Sequence, residues 1–149
     1  MIEINNLSKI YINEKFLKKI ADKVLKKERK EKAELSIALV PSKKIEEINR
    51  IYRGKDRTTD VLSFPEPKSF FKNIKGKNFQ KTKSLGEIII SPKEVMKNSK
   101  RLGTSFDKEL ALCLIHGILH LLGYDHEKNK KKAEEMRKKE NYYLSLINI

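Results

Sequence analysis

All three histidines of the chain fall within one short segment, at His116, His120 and His126. Side chains four residues apart on an α-helix lie one turn apart on the same face, so His116 and His120 can converge on a single ion from rigid backbone. Gly123 suits the left-handed conformation that ends a helix, and the chain can then reverse to bring His126 back as a third imidazole. Three nitrogen ligands leave the fourth tetrahedral position free, which distinguishes catalytic zinc sites from closed structural ones. The expectation is one zinc-type ion per chain in an open, hydrolytic site. Any one of these histidines alone would be read as ordinary packing, but the spacing, the glycine stop and the third histidine together point to a metal.

Such ligands need a buried helix beneath them. From about Ser105, the residues Leu110, Ala111, Leu114, Ile115, Ile118, Leu119 and Leu122 are apolar over so wide an arc that this helix must be central, and Gly123 ends it. Before it, Ser91, Pro92 and Glu94 form the signature of a capping box with proline at the first helical position, and Gly103 offers the C-terminal stop. After it, Lys130 to Ile147 reads as an amphipathic helix with Ala133, Met136, Tyr143 and Leu144 turned inward.

Toward the N-terminus, Ile2 to Asn6 alternates as an edge strand would, and a helix follows with Phe16, Leu17, Ile20, Val24 and Leu25 on one face and lysines on the other. Leu35 to Val40 is a second strand stopped by Pro41. Ser42 opens a helix with Ile45, Ile48 and Tyr52 inward, closed by Gly54. Val61 to Phe64 is a short strand ended by Pro65 and Pro67, and Leu85 to Ile90 is a continuous apolar run suited to burial on both faces of the same sheet. Between them Lys68 to Ser84 is polar and basic around Gly76, a surface loop or flap that Phe70, Phe71 and Phe79 can tuck down.

A chain of 149 residues fits one domain, here residues 1–149. Its formal charge of +14 favours polyanionic partners, nucleic acid above all, although the excess of lysine over arginine fits a biased genome composition equally well. Cys113 is the one cysteine, so no internal disulfide forms and a reducing compartment, by default the cytoplasm, is expected. Met1 to Asn13 lacks the apolar stretch and cleavage site of a signal peptide, and no run of about 20 apolar residues could span a membrane.

The pattern H-x-x-x-H-x-x-G-x-x-H has the histidine and glycine spacing of metzincin proteases. Those enzymes need a glutamate directly after the first histidine as general base, and Gly117 stands there, so peptide hydrolysis by that mechanism is not expected. The segment His116-Gly117-Ile118-Leu119-His120-Leu121-Leu122-Gly123-Tyr124-Asp125-His126 resembles instead the signature of the YbeY family of bacterial endoribonucleases and ribosomal RNA maturation factors. Two further blocks match that family in order and spacing: Tyr52-Arg53-Gly54-Lys55-Asp56 running on to Thr59-Asp60-Val61-Leu62-Ser63-Phe64-Pro65, and Leu85-Gly86-Glu87-Ile88-Ile89-Ile90-Ser91. Thr58 departs from the proline of many members, and the Lys68 to Ser84 loop is longer than usual.

The resemblance implies a single α+β domain in which helices pack on a small, about four-stranded mixed sheet, with the three histidines of the central helix region holding zinc at the base of a cleft. It implies processing and quality control of ribosomal RNA, with the small ribosomal subunit or its assembly factors as partners. Arg53 matches the family's functional arginine, and its guanidinium can grip a substrate phosphate with two parallel hydrogen bonds. Read from its neighbours alone, Arg53 would be a solvated charge beside Gly54.

Asp60, Asp125 and Glu87 could orient histidine N–H groups, though Asp125 equally suits a helix cap and Glu87 an exposed strand position. Cys113, one turn before His116, could face the metal or simply pack. The attacking group stays open between water and the RNA's own 2′-hydroxyl. Two rival functions remain: a zinc-containing RNA-binding assembly factor without catalysis, and a protease or other zinc hydrolase. An open fourth coordination position favours an enzyme; a fourth ligand such as Cys113 favours a structural ion.

Overall fold

Short β-branched runs broken by Asn, Pro and Gly alternate here with lysine-rich amphipathic segments, and each run becomes a strand. A computed structural model describes residues 1–66 and 84–149. In chain order the elements are β1 (Ile2–Asn6), α1 (Glu14–Lys27), β2 (Glu34–Leu39), α2 (Ser42–Arg53), β3 (Val61–Pro65), β4 (Ser84–Ile90), α3 (Pro92–Leu102), α4 (Phe106–Leu121) and α5 (Lys130–Ser145). Pro67 and the expected loop from Lys68 onward, with Phe70, Phe71, Gly76 and Phe79, lie outside the described residues. Ser84 already belongs to β4.

The strands form one mixed sheet in the order β1-β2-β4-β3. β1 and β4 flank β2 in parallel, and β3 runs antiparallel to β4 at the second edge. The apolar run of β4 alternates between two cores: Ile88 and Ile90 face the helices α1 and α4, whereas Ile89 joins Val40, Ile45 and Leu62 beneath α2. Burial on both faces therefore explains why β4 lacks a polar alternation. Among the described residues no helix is long and apolar enough to cross a membrane.

Helix ends follow local chemistry at most positions. Asn13, Ser105 and Asn129 each accept a hydrogen bond from the backbone N–H three residues on, satisfying donors that a helix start leaves free. Gly54 and Gly103 end α2 and α3 in the left-handed conformation.

Three local expectations are not met. The capping box does not form: the Ser91 N–H extends the β3–β4 ladder by donating to the Asp60 carbonyl at 2.9 Å, while Glu94 accepts from Ser42 Oγ at 2.6 Å. Tyr52 is 70% exposed, because the buried face of α2 runs through Ile45 and Asn49, whose Nδ2 donates to the Arg57 carbonyl at 2.9 Å. α5 ends at Ser145, short of Ile147.

α1, α5 and the turn after α4 are tied together at Glu28, the residue that ends α1. Its carboxylate accepts from Tyr124 Oη at 2.8 Å, from Lys139 Nζ at 3.0 Å and from Tyr143 Oη. Burial pushes the Glu28 carboxyl up, but the hydrogen bonds from Tyr143, Lys139 and Tyr124 outweigh it and hold the group below its ordinary value of 4.5. A carboxyl depressed in the folded state contributes stability that is present above its unfolded value and lost as pH falls through the folded one. Glu28→Gln should therefore cost about 1–3 kcal/mol near neutrality, the range for disrupting a charge-assisted network. Urea unfolding across pH should show that difference steady above about pH 5 and shrinking below 4.5; a difference unchanged down to pH 3 would contradict the assignment.

Candidate metal centre and cleft

α4 lies against the sheet at Gly117. A Cβ on that residue would sit 3.0 Å from both Cδ1 and Cγ2 of Ile88 in β4, so the missing side chain is what lets the helix approach the central strand so closely. The position that carries a glutamate in metzincins is here a packing contact. His116 and His120, on either side of it along the helix, stay half-buried and line an open cleft.

α4 ends at Leu121 with Leu122 as its cap, and Gly123 follows at φ +101°. The Gly123 N–H donates to the His120 carbonyl and the Tyr124 N–H to the Leu119 carbonyl, each at 3.0 Å, so two carbonyls at the helix end are satisfied as the chain turns. Asp125 Oδ1 then accepts from the Glu127 N–H at 2.8 Å, closing a small turn that returns His126 to the face of α4. The three imidazole centroids stand 4.9, 5.1 and 5.0 Å apart.

The donor set fits one metal ion. Ligand nitrogens of His116, His120 and His126 all lie within 4.8 Å of one another. His120 Nε2 and His126 Nδ1 are 3.1 Å apart, near the ~3.4 Å expected between two nitrogens each ~2.0–2.1 Å from a tetrahedral zinc. Burial, and secondarily the neighbouring His116 and His126, push the His120 imidazole below its ordinary 6.5, against an opposing pull from Asp125 and Glu127. The neutral ring, which alone can offer a lone pair, is thereby favoured. His116 Nδ1 meets Glu140 Oε1 at 3.0 Å, leaving Nε2 for a metal.

Cys113 does not join this group. It is 7% exposed, and its Sγ lies 3.4 Å from Asp60 Oδ2. Burial first, and then the Asp60 charge, raise its thiol well above the ordinary value, which disfavours the thiolate a metal needs. The three histidines are the one such cluster among the described residues.

Arg53, at the end of α2, lines the same cleft of about 400 Å³, together with Lys55, Asp60 and the β3 residues Val61 to Ser63. The acidic candidates Asp60, Glu87 and Asp125 each hydrogen-bond partners other than a histidine. Asp60 accepts from Asn98 Nδ2 at 3.1 Å, Glu87 from Ser36 Oγ at 3.3 Å, and Asp125 serves its own turn. Glu127 Oε1 lies 3.7 Å from His126 Nε2. The carboxylate hydrogen-bonded to a histidine is Glu140, which the residue pattern did not single out. Its signal was present: Glu140 lies four residues after Met136 and three before Tyr143, a charged residue on the inward face of α5.

A family model described as Endoribonuclease YbeY matches residues 3–148. The chain belongs to the YbeY family. An Endoribonuclease YbeY of Clostridioides difficile (strain 630) is 35% identical over 145 residues, covering 95% of this chain and 92% of that protein. One from Sulfurihydrogenibium sp. (strain YO3AOP1) is 41% identical over 125 residues, covering 84% and 77%. The solution structure of a Thermotoga maritima protein superposes with a TM-score of 0.66 at 35% identity, covering 97% of this chain and 87% of that one. The family match over residues 3–148 spans both the sheet and the histidine segment, so the α+β architecture is that of the family.

The contact between Glu140 and His116 generates a test. A carboxylate fixes the ring orientation and tautomer of a ligating histidine and raises its basicity. Glu140→Gln should lower zinc affinity by roughly 10-fold to 100-fold, measured by competition with a chromophoric chelator, with the fold retained. Unchanged affinity would mean that Glu140 only packs.

Proposed function

We propose that this chain is a zinc-dependent endoribonuclease that acts on ribosomal RNA precursors of the small subunit, with residues 1–149 as one catalytic domain. The observation that carries this reading is the convergence of three imidazoles and no fourth protein ligand among the described residues, in a cleft that also holds Arg53. His116, His120 and His126 would hold the ion. When bound, zinc supplies a Lewis acid beside the scissile phosphate.

The protein's own groups account for the rest. Arg53 offers a planar, permanently charged fork that can bind two phosphate oxygens and stabilise the charge that builds on them. Lys55, which lines the same cleft, adds attraction without directional constraint. The net charge of +14 attracts a polyanion to the protein, which makes affinity dependent on salt. A lone, buried, protonated thiol at Cys113 suits the reducing cytoplasm, where ribosome assembly factors would be its partners.

A purely structural ion would call for a closed coordination shell, and the nearest thiol, Cys113, is committed to Asp60. A metzincin-like protease would call for a base where Gly117 packs on Ile88. Neither rival is supported by the cleft.

Arg53→Lys separates binding from chemistry, because it keeps the charge and removes the two-pronged donor. Zinc content should be unchanged and bulk RNA affinity nearly so. Single-turnover cleavage should fall roughly 10-fold to 1,000-fold, the range for losing one preorganised charge-stabilising contact. Cleavage at the parental rate with equal zinc would reduce Arg53 to a helix-end surface charge.

A further inference from the structure

β3 is an edge strand, and its pairing fixes which of its backbone groups face outward. The Ser91 N–H donates to the Asp60 carbonyl, and the Glu66 N–H donates to the Leu85 carbonyl. In an antiparallel ladder, hydrogen-bonded pairs alternate with non-bonded ones. With Leu62 opposite Ile89 and Phe64 opposite Glu87, the even-numbered residues 60, 62, 64 and 66 direct their N–H and C=O groups toward β4. Ile90, opposite Val61, confirms this from the other side, since its carbonyl accepts from Val40 across β2. Val61 and Ser63 therefore direct both main-chain groups away from the sheet, and among the described residues no further strand pairs with them.

Pro65 has the same outward parity. A proline is tolerated within a strand where its missing N–H would have faced the open edge, which explains why β3 continues through Pro65 and does not stop before it.

Val61 and Ser63 also line the histidine cleft. We infer that this free edge is the surface on which the ribose-phosphate strand of RNA lies, the N–H groups of Val61 and Ser63 donating to phosphate oxygens and their carbonyls accepting from ribose 2′-hydroxyls. The inference rests on the endoribonuclease reading and specifies how that site holds its substrate.

Two outward residues repeat every ~6.7 Å along a strand, comparable with the repeat of an extended ribose-phosphate chain. An exposed edge could instead accept a peptide strand. The cleft is also lined by Arg53 and Lys55, and of its two acids Asp60 is engaged by Asn98 and Cys113 and Glu127 lies beside His126, so the two cations are left to meet a phosphate chain. Carbonyls alternating with the N–H groups would repel a strand that offered only phosphates. A 2′-hydroxyl gives them a donor that DNA lacks, so RNA should bind more tightly than DNA of the same sequence.

The test is residue-resolved amide exchange on the zinc-loaded protein with and without a saturating single-stranded oligoribonucleotide. Val61 and Ser63 should exchange freely alone and become protected with RNA, while Leu62 and Phe64 are protected throughout. RNA that binds without protecting Val61 and Ser63 overturns the inference and leaves the endoribonuclease reading standing; a protein that binds no RNA defeats both. Protection by a short acidic peptide and none by RNA also overturns it, assigning the edge to a protein strand. Ser63→Pro gives a second readout, since it removes one outward N–H at a position equivalent to Pro65. It should weaken RNA binding roughly 10-fold to 100-fold, as for a lost hydrogen bond to a charged group, with zinc content unchanged, and a folded variant with parental RNA affinity overturns the inference.

Discussion

The close approach of α4 to the central strand β4, where Gly117 meets Ile88, is the constraint on which the rest of the structure depends. Protein interiors are packed densely enough that one added methyl group is felt, and a Cβ here would come within 3.0 Å of two carbons of Ile88. This contact sets the height of the helix above the sheet. It thereby places His116 and His120 at the level of β3 and of the end of α2, where Arg53 lies. The same glycine that removes the protease base brings His116 and His120 down to the level of the β3 edge.

The third histidine depends on a different kind of fastening. His126 is 41% exposed at its side chain and sits in a turn with little apolar anchoring of its own. That turn is held through Tyr124, whose hydroxyl reaches Glu28 at the end of α1, while Lys139 and Tyr143 bring α5 to the same carboxylate. The next residue of α5, Glu140, engages His116 directly. One face of the last helix thus supports the site twice, once at the helix that carries His116 and His120 and once beside the turn that carries His126.

How much of this could be read from sequence follows from the range of the interactions. The three histidines were legible because one helical turn and one glycine bring them together, and strands and helix ends were legible for the same reason. β4 was legible as a central strand because burial on both faces leaves an unbroken apolar run. The failures share a cause. Ser91 and Glu94 have the pattern of a reciprocal cap, yet Asp60 and Ser42, distant in sequence, offer better partners. Tyr52 has the spacing of a core residue, but Asn49 takes the buried position to bond the Arg57 carbonyl. Glu140 lies 24 residues from His116, and only the packing of α5 on α4 joins them. The outward parity of Val61 and Ser63 required knowing the register with β4.

The central claim is that the three-histidine cleft cleaves RNA and does not merely bind it. The most direct measurement is incubation of zinc-loaded, nuclease-free protein with ribosomal RNA precursor, beside a His116→Ala variant whose fold is verified by circular dichroism and whose metal content is determined. The account predicts discrete cleavage products from the parent protein, and from the variant a retained fold with loss of both zinc and cleavage. Equal cleavage by a folded, zinc-free His116→Ala protein would contradict it.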